Sequence, residues 1–452
     1  MESIRNLFRD REFNRKLLRL SVPIAFQNLM LALVAAADAL MLGKVNQNAM
    51  SAVSLATQIQ FVQNMIIWAI VGGLGILGAQ YWGKNDKVVL GKIFGISIRQ
   101  SLVVSAAFFI GCFSFPRMLM RLFAHDATLL DLGAQYLRVA SWSYLFTGVS
   151  QCYLAIMKVS DHPSRSAWIS SGAVILNILL NAVFIFGLLG MPAMGVKGAA
   201  LATVCARVIE LGWCVGSSLQ KNFVRLKLTT IFAFNRTLVA DFWHYSLPIF
   251  GAGMLWGIGF TSYTAVMGHR GQDAAAANSV AAVVRDLMCC LCNGFGGAAA
   301  ILIGNELGAG RLDLGRKYGD RLLIIGFLVG FVCTIVILAV IPLVTYFLKL
   351  TPQAQSYMVG MFIILSIYMI GRSFCTIVIN GVFWAGGDTF FDVYSLVVCM
   401  WGIALPCAFL GAFYFHWPVL LVYACTCLDE VGKIPWVVAH FFRYKWVRNI
   451  TR

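Results

Sequence analysis

The sequence predicts an all-α polytopic membrane protein. Twelve transmembrane helices are expected in two six-helix lobes, related by a pseudo-two-fold axis along the membrane normal. Three observations predict this class. The 452 residues are 60% hydrophobic and only 12% charged, with mean hydropathy +0.80. Ordinary soluble domains run about 45–50% apolar and about 25% charged. Apolar runs of bilayer-crossing length recur twelve times between polar breaks. The second half repeats the first at an offset of 225 positions. A soluble protein is excluded, and the short loops leave no room for a separate nucleotide-hydrolysing or enzymatic domain.

The chain opens with residues 1–16, which set Ile4, Leu7, Phe8 and Phe13 among Arg5, Arg9, Arg11 and Arg15. That pattern makes a short basic amphipathic segment on the inner leaflet, as a lipid contact or as a topology signal. The N-lobe, 17–219, holds spans at 17–43, 49–74, 90–114, 134–157, 165–189 and 195–219. A linker follows at 220–242. The C-lobe, 243–441, holds spans at 243–267, 275–303, 319–346, 355–383, 391–415 and 417–441, and a tail closes the chain at 442–452. The breaks carry turn chemistry, as at Asp161-His162-Pro163 and Gly386-Gly387-Asp388.

Orientation follows from the 35 Lys and Arg residues. With the termini and the even loops on one side, that side holds 23 of them, the other side six, and the spans six. The positive-inside rule puts both termini and the linker in the cytoplasm. The net charge of +16 thus belongs to membrane topology and not to nucleic acid. The thirteen cysteines show neither disulfide nor zinc spacing and read as small buried hydrophobes.

The repeat aligns Pro23 with Pro248, Gly43 with Gly268 and Ala49 with Ala274. Six spans per half bring both copies into the bilayer with the same orientation, an arrangement used by transporters. An internal copy also argues against a cleaved leader ending at Ala35-Ala36-Ala37. Pro23 and Pro248 read either as helix-start residues or as bends in the first helix of each lobe. The stretch from Gly78 to Asn85 imitates a phosphate-binding loop, but it lacks the Ser or Thr after Lys84 and follows a membrane helix.

Charge within a bilayer costs about 2.5–3.5 kcal/mol per residue on insertion scales, so each instance calls for a reason. Asp38 lies five residues before Gly43 in an apolar run, and the nearest basic residue along the chain is Lys44. It reads as a proton carrier, as a Na⁺ ligand, or as a polar group near a wet helix end. Asn177 and Asn181 share one helix face and fit an ion site, a bond to Asp38, or interhelical contacts. In the C-lobe, Arg285, Asp286 and Arg372 fit either structural ion pairs or substrate-binding charges. Trp256, Tyr263 and Tyr368 fit core packing or an aromatic cation site. Arg207 with Glu210, and Asp429 and Glu430 with Lys433, read as local helix pairs, while Asp392 reads as a cap or gate.

These stretches together resemble the multidrug and toxic compound extrusion (MATE) transporters of bacteria. The resemblance rests on Asp38-Ala-Leu-Met-Leu-Gly43, Asn177-Ile-Leu-Leu-Asn181, Gly195-Val-Lys-Gly-Ala-Ala-Leu-Ala-Thr203, Ile303-Gly-Asn-Glu-Leu-Gly-Ala-Gly310 and Ala385-Gly-Gly-Asp-Thr389. It covers nearly the whole chain. It implies cation-coupled export of drug-like organic cations, with Asp38 and Asn177 matching the family's first- and fifth-span polar residues. It also implies that protonation or Na⁺ binding bends the first helix. Position 181 departs, with Asn where many prokaryotic members have Asp. The seventh span lacks the Glu often found there, and Arg285 stands where similar chains tend to carry an acid.

The expectation is therefore a secondary active antiporter in a bacterial cytoplasmic membrane. It would export organic cations or related amphiphilic metabolites against H⁺ or Na⁺ by rocking-type alternating access. Asp38, Asn177 and Asn181 would hold the coupling ion. Asp286, Arg285, Trp256, Tyr263, Arg372 and Tyr368 would meet the substrate, and Pro23 and Pro248 would bend. No cofactor or metal beyond the coupling ion is expected. The partners would be a small molecule and lipid, and the protein a monomer. The rivals are a lipid-linked precursor flippase of the same superfamily and an intramembrane enzyme. No catalytic His, Ser or metal motif lies within a span to support the enzyme.

Overall fold

The computed structural model describes residues 10–220, 223–225, 228–232, 235–348 and 350–452, except the side chains at 35, 36, 39 and 228. Among these residues the chain is helical, with no strand. Twelve long elements follow the expected order. The first six are α1 Arg11–Val45, α2 Gln47–Gly83, α3 Lys87–Ser114, α4 Ala127–Val159, α5 Pro163–Phe186 and α6 Val196–Ser218. The second six are α7 Arg236–His269, α8 Gln272–Gly308, α9 Leu312–Phe347, α10 Pro352–Phe383, α11 Phe390–Tyr414 and α12 at 419–441.

Local chemistry sets the ends of these helices. The side chains of Asn46, Asp86, Asp126 and Thr351 accept hydrogen bonds from the first-turn N–H groups of α2, α3, α4 and α10. Gly187, in the left-handed region at φ 73°, ends α5. Residues 78–83 are helix within α2, which removes the phosphate-loop imitation as a loop.

Two compact units form. One joins the chain up to Ala25 with Leu247–Arg452, and the other is Phe26–Ser246. Both divisions fall inside a helix, two residues after Pro23 and one before Pro248. The lobe boundaries expected at 17–219 and 243–441 kept those helices whole. The linker expected at 220–242 gives way to helix from Arg236, and the first turns of α1 continue the helix back to Arg11. Positions 1–9 of the expected amphipathic segment lie outside the described residues. Pro23 and Pro248 are each the thirteenth residue of their helix, which sets aside the helix-start reading. An interior proline removes one ladder hydrogen bond and permits a kink.

The repeat extends to packing. Within Phe26–Ser246, α4 is central and packs on α2, α3, α5 and α6. Within the other unit, α10 is central and packs on α8, α9, α11 and α12. The last helices are less regular than the first. Wider π-type turns occupy Thr376–Phe383, Val397–Ala404 and Leu410–Tyr414. α12 is broken into Val419–Thr426, Leu428–Val431 and Ile434–Phe441.

Candidate functional site

Each unit contains a polar centre within an apolar body. In the unit Phe26–Ser246, Asp38 on α1 accepts a 2.5 Å hydrogen bond at Oδ1 from Asn181 Nδ2. The same Nδ2 donates to Asn177 Oδ1 at 3.3 Å, and Asn177 Nδ2 donates to Thr203 Oγ1 at 3.4 Å. The four-residue spacing on α5 puts both amides on one face. Asn181 is fully buried, and its Oδ1 has no hydrogen-bond donor. Close contact between α5 and α6 is possible because position 198 is glycine, where a Cβ would fall 2.4 Å from the Phe184 carbonyl oxygen. The three residues expected to hold a coupling ion are thus in one chain of bonds, with Thr203 added from α6.

A second group lies further along α6 in the same unit. Arg207 Nη1 meets Glu210 Oε2 at 2.7 Å, and Ser150 of α4 donates to the same oxygen at 3.1 Å. Arg207 stands one helical turn along α6 from Thr203.

In the unit containing Leu247–Arg452, a recess is lined by Phe260, Tyr263, Arg285, Tyr368, Tyr423 and Asp429. Arg285 is mostly buried and lies 4.0 Å over the Phe260 ring. The Tyr263 hydroxyl and Asp429 Oδ1 are buried with no hydrogen-bond partner. Of the six residues expected to meet substrate, Arg285, Tyr263 and Tyr368 line this recess. Asp286 pairs with Arg285 at 2.8 Å, and its side chain is 64% exposed. Trp256 is not among the lining residues and stacks on Phe260, with ring centroids 5.1 Å apart.

Arg372 is committed elsewhere. It binds Glu430 at 2.6 Å, and Lys433 binds the same carboxylate at 3.1 Å. The local pair expected on α12 is therefore joined by a cation from α10, and Arg372 is not free for an anionic substrate. Gly371 lets α12 come close, since a Cβ there would lie 3.1 Å from the Val431 backbone. Asp392 is buried. Reasoning from the sequence missed Thr203, Arg207 and Asp429 as neighbours of the expected residues. The only signal for Asp429 was its place beside Glu430 in an apolar run.

Among the described residues, ten helices are long and apolar enough to cross a bilayer, and two units with matching internal packing each hold buried polar groups. Such a body is a multi-pass membrane transporter. The chain belongs to the MatE family, whose model matches residues 23–183 and 248–410. It is a transporter and not an enzyme. It is 24% identical over 438 residues to the Bacillus subtilis protein named uncharacterized transporter YisQ, covering 96% of this chain and 94% of that one. It is 23% identical over 453 residues to a probable multidrug resistance protein NorM of Thermotoga maritima, covering 97% and 94%. The fold matches an outward-facing multidrug-resistance MATE transporter of the MOP superfamily, with TM-score 0.86, 17% identity and coverage of 98% and 99%. It also matches a MOP-superfamily transporter from Pyrococcus furiosus, with TM-score 0.86, 17% identity and coverage of 96% and 97%.

Proposed function

We propose that the protein is a secondary active antiporter that exports small amphiphilic organic molecules against inward movement of H⁺ or Na⁺. The observation that carries this reading is the Asp38 carboxylate, set in an apolar helix and held by the Asn181 amide. Such a group has few stable states in a bilayer: protonated, bound to a cation, or paired with a charge. Binding or release of a small cation there changes the charge of the whole centre. Asn181 and Asn177 orient the carboxylate, and Thr203 anchors them to α6. Pro23, inside the same helix, supplies a place where α1 can bend.

The substrate meets the recess near α7, α8 and α10, where Arg285 and Asp429 offer both signs of charge beside the rings of Phe260 and Tyr263. That pairing favours zwitterionic amphiphiles over strict dications. The protein works in the bacterial cytoplasmic membrane as a monomer, with both termini inside, as its Lys and Arg distribution supports.

The test is export of a fluorescent zwitterionic or cationic dye from everted vesicles, under separately imposed proton and sodium gradients. Transport by the parent should follow one gradient. It should fall about tenfold or more in Asp38→Asn, the scale of an ordinary coupling free energy. Equal transport by parent and variant would sink the reading.

A further inference from the structure

Six Lys and Arg residues fall inside the expected spans, and the fold gives four of them a carboxylate. Arg207, Arg285, Arg372 and Lys433 each meet one at 3.1 Å or less. Arg138 on α4 does not. It is exposed, and its guanidinium has neither an ion pair nor a hydrogen bond among the described residues. The one carboxylate on α4 is Asp131, two turns away and held by Arg117 at 2.7 Å. A cation on a bilayer-facing surface calls for a counter-charge, and here the chain does not supply it.

The surroundings say what does. The exposed positions of α4 include Asp131, Gln135, Arg138 and Trp142, three or four apart, so they form one stripe. Trp142 is 46% exposed and meets Phe109 and Phe113 of α3 edge-on, with ring centroids 4.8 and 6.2 Å away. Phe113 is the last residue but one of α3, so this aromatic group stands at a helix end. Ile110 is exposed beside it, and the connection from α3 to α4 exposes Met118 and Leu122. Apolar side chains turned outward at a helix end, with Trp among them, mark the level where hydrocarbon gives way to headgroups. Arg138 lies one turn from Trp142 toward the start of α4, and its long apolar stem carries the guanidinium into the headgroup layer.

We infer that Arg138 and Trp142 form a binding site for an anionic phospholipid, in the leaflet opposite the start of α1. Three crossings, α1 to α3, separate Arg11 from this end of α4, which sets the leaflet. The guanidinium takes two oxygens of the lipid phosphate through its paired N–H donors. An acyl chain lies along Phe109, Phe113 and Trp142 and bridges α3 to α4. A zwitterionic headgroup brings its own cation to compete with Arg138, so a net anionic lipid is preferred. A free phosphate has nothing to set against the aromatic face. This site does not depend on the reading of Asp38 as the coupling group.

The test is native mass spectrometry of the full chain in detergent, titrated with phosphatidylglycerol. Half-occupancy of the first bound lipid should need about tenfold more phosphatidylglycerol in Arg138→Gln than in the parent, the scale of a hydrogen bond to a charged group. Arg138→Lys keeps the charge but loses the fork, and it should fall between the two. Arg443→Gln removes the same charge from the exposed tail and should match the parent. Phosphatidylcholine should bind the parent more weakly, and inorganic phosphate at the lipid's concentration should not displace phosphatidylglycerol. Equal half-occupancy in the parent and Arg138→Gln overturns the inference. An equal loss in Arg443→Gln also overturns it, since the response is then to net charge alone. Displacement by inorganic phosphate overturns the lipid as the occupant.

Discussion

Glu430 shows how one side chain can hold two elements together. Its carboxylate is 1% exposed and neutralises Arg372 from α10 and Lys433 from α12. Breaking a buried pair by removing one partner typically costs about 3–5 kcal/mol, since the remaining charge stays buried. Glu430→Gln is expected to lose that much stability, measured as thermal unfolding in detergent. A loss below about 0.5 kcal/mol, the ordinary scatter of surface changes, would contradict the burial described here. The Glu430–Lys433 pair was legible from spacing alone, because residues three apart share a helix face. Arg372 was not, because 58 positions separate it from Glu430 and no periodicity links α10 to α12. The same division holds at Asp38. Its isolation along the chain and the four-residue spacing of Asn177 and Asn181 were readable. Thr203 entered only through the packing of α6 against α5.

Elements meet where side chains are smallest. Gly198 near the start of α6 leaves no room for a methyl group against the end of α5: a Cβ would lie 2.4 Å from Phe184 O and 2.6 Å from its carbonyl carbon. Backbone cannot swing aside as a flexible side chain can, so the helices must part. Overpacking of this kind costs about 1–3 kcal/mol. Gly198→Ala is expected to lower thermal stability by that amount. It should also stretch the 3.4 Å bond between Asn177 and Thr203, since these residues lie on the two separating helices. Unchanged stability would mean that α5 and α6 adjust without separating. The motif from Gly195 to Thr203 was visible in the sequence, but this contact was not. Helix starts were largely legible from Asn, Asp, Thr and Pro at the breaks. The breaks in α12 were missed, because Asp429, Glu430 and Lys433 around Gly432 read as pairs within one continuous helix.

At the scale of the whole molecule, the first turns of α1 pack with residues more than 200 positions away. Phe13, Leu17, Leu20 and Ile24 are all buried, and Phe13 is fully so. Its ring lies 4.8 Å from that of Tyr318 on α9, and the Arg321 guanidinium lies 5.3 Å over it. Just before the helix, Asp10 bonds Arg321 at 2.6 Å. The sequence marked Phe13 as the lipid-facing side of a peripheral segment. Periodicity identifies an apolar stripe but not which surface covers it, and here α9 covers it. Phe13→Ala is expected to raise hydrogen exchange across 315–322 while leaving α4 unchanged, because α4 lies in the other unit. Acid should loosen the same contact. The Phe13 N–H, and then Arg321, hold the Asp10 carboxyl below its ordinary value of 3.8. Its stabilising contribution is therefore complete above that value and is lost as pH falls below it. Asp10→Asn should remove the acid dependence at 315–322 and leave the Phe13→Ala effect in place. If the acid dependence survives in Asp10→Asn, the carboxylate is not what ties the start of α1 to α9.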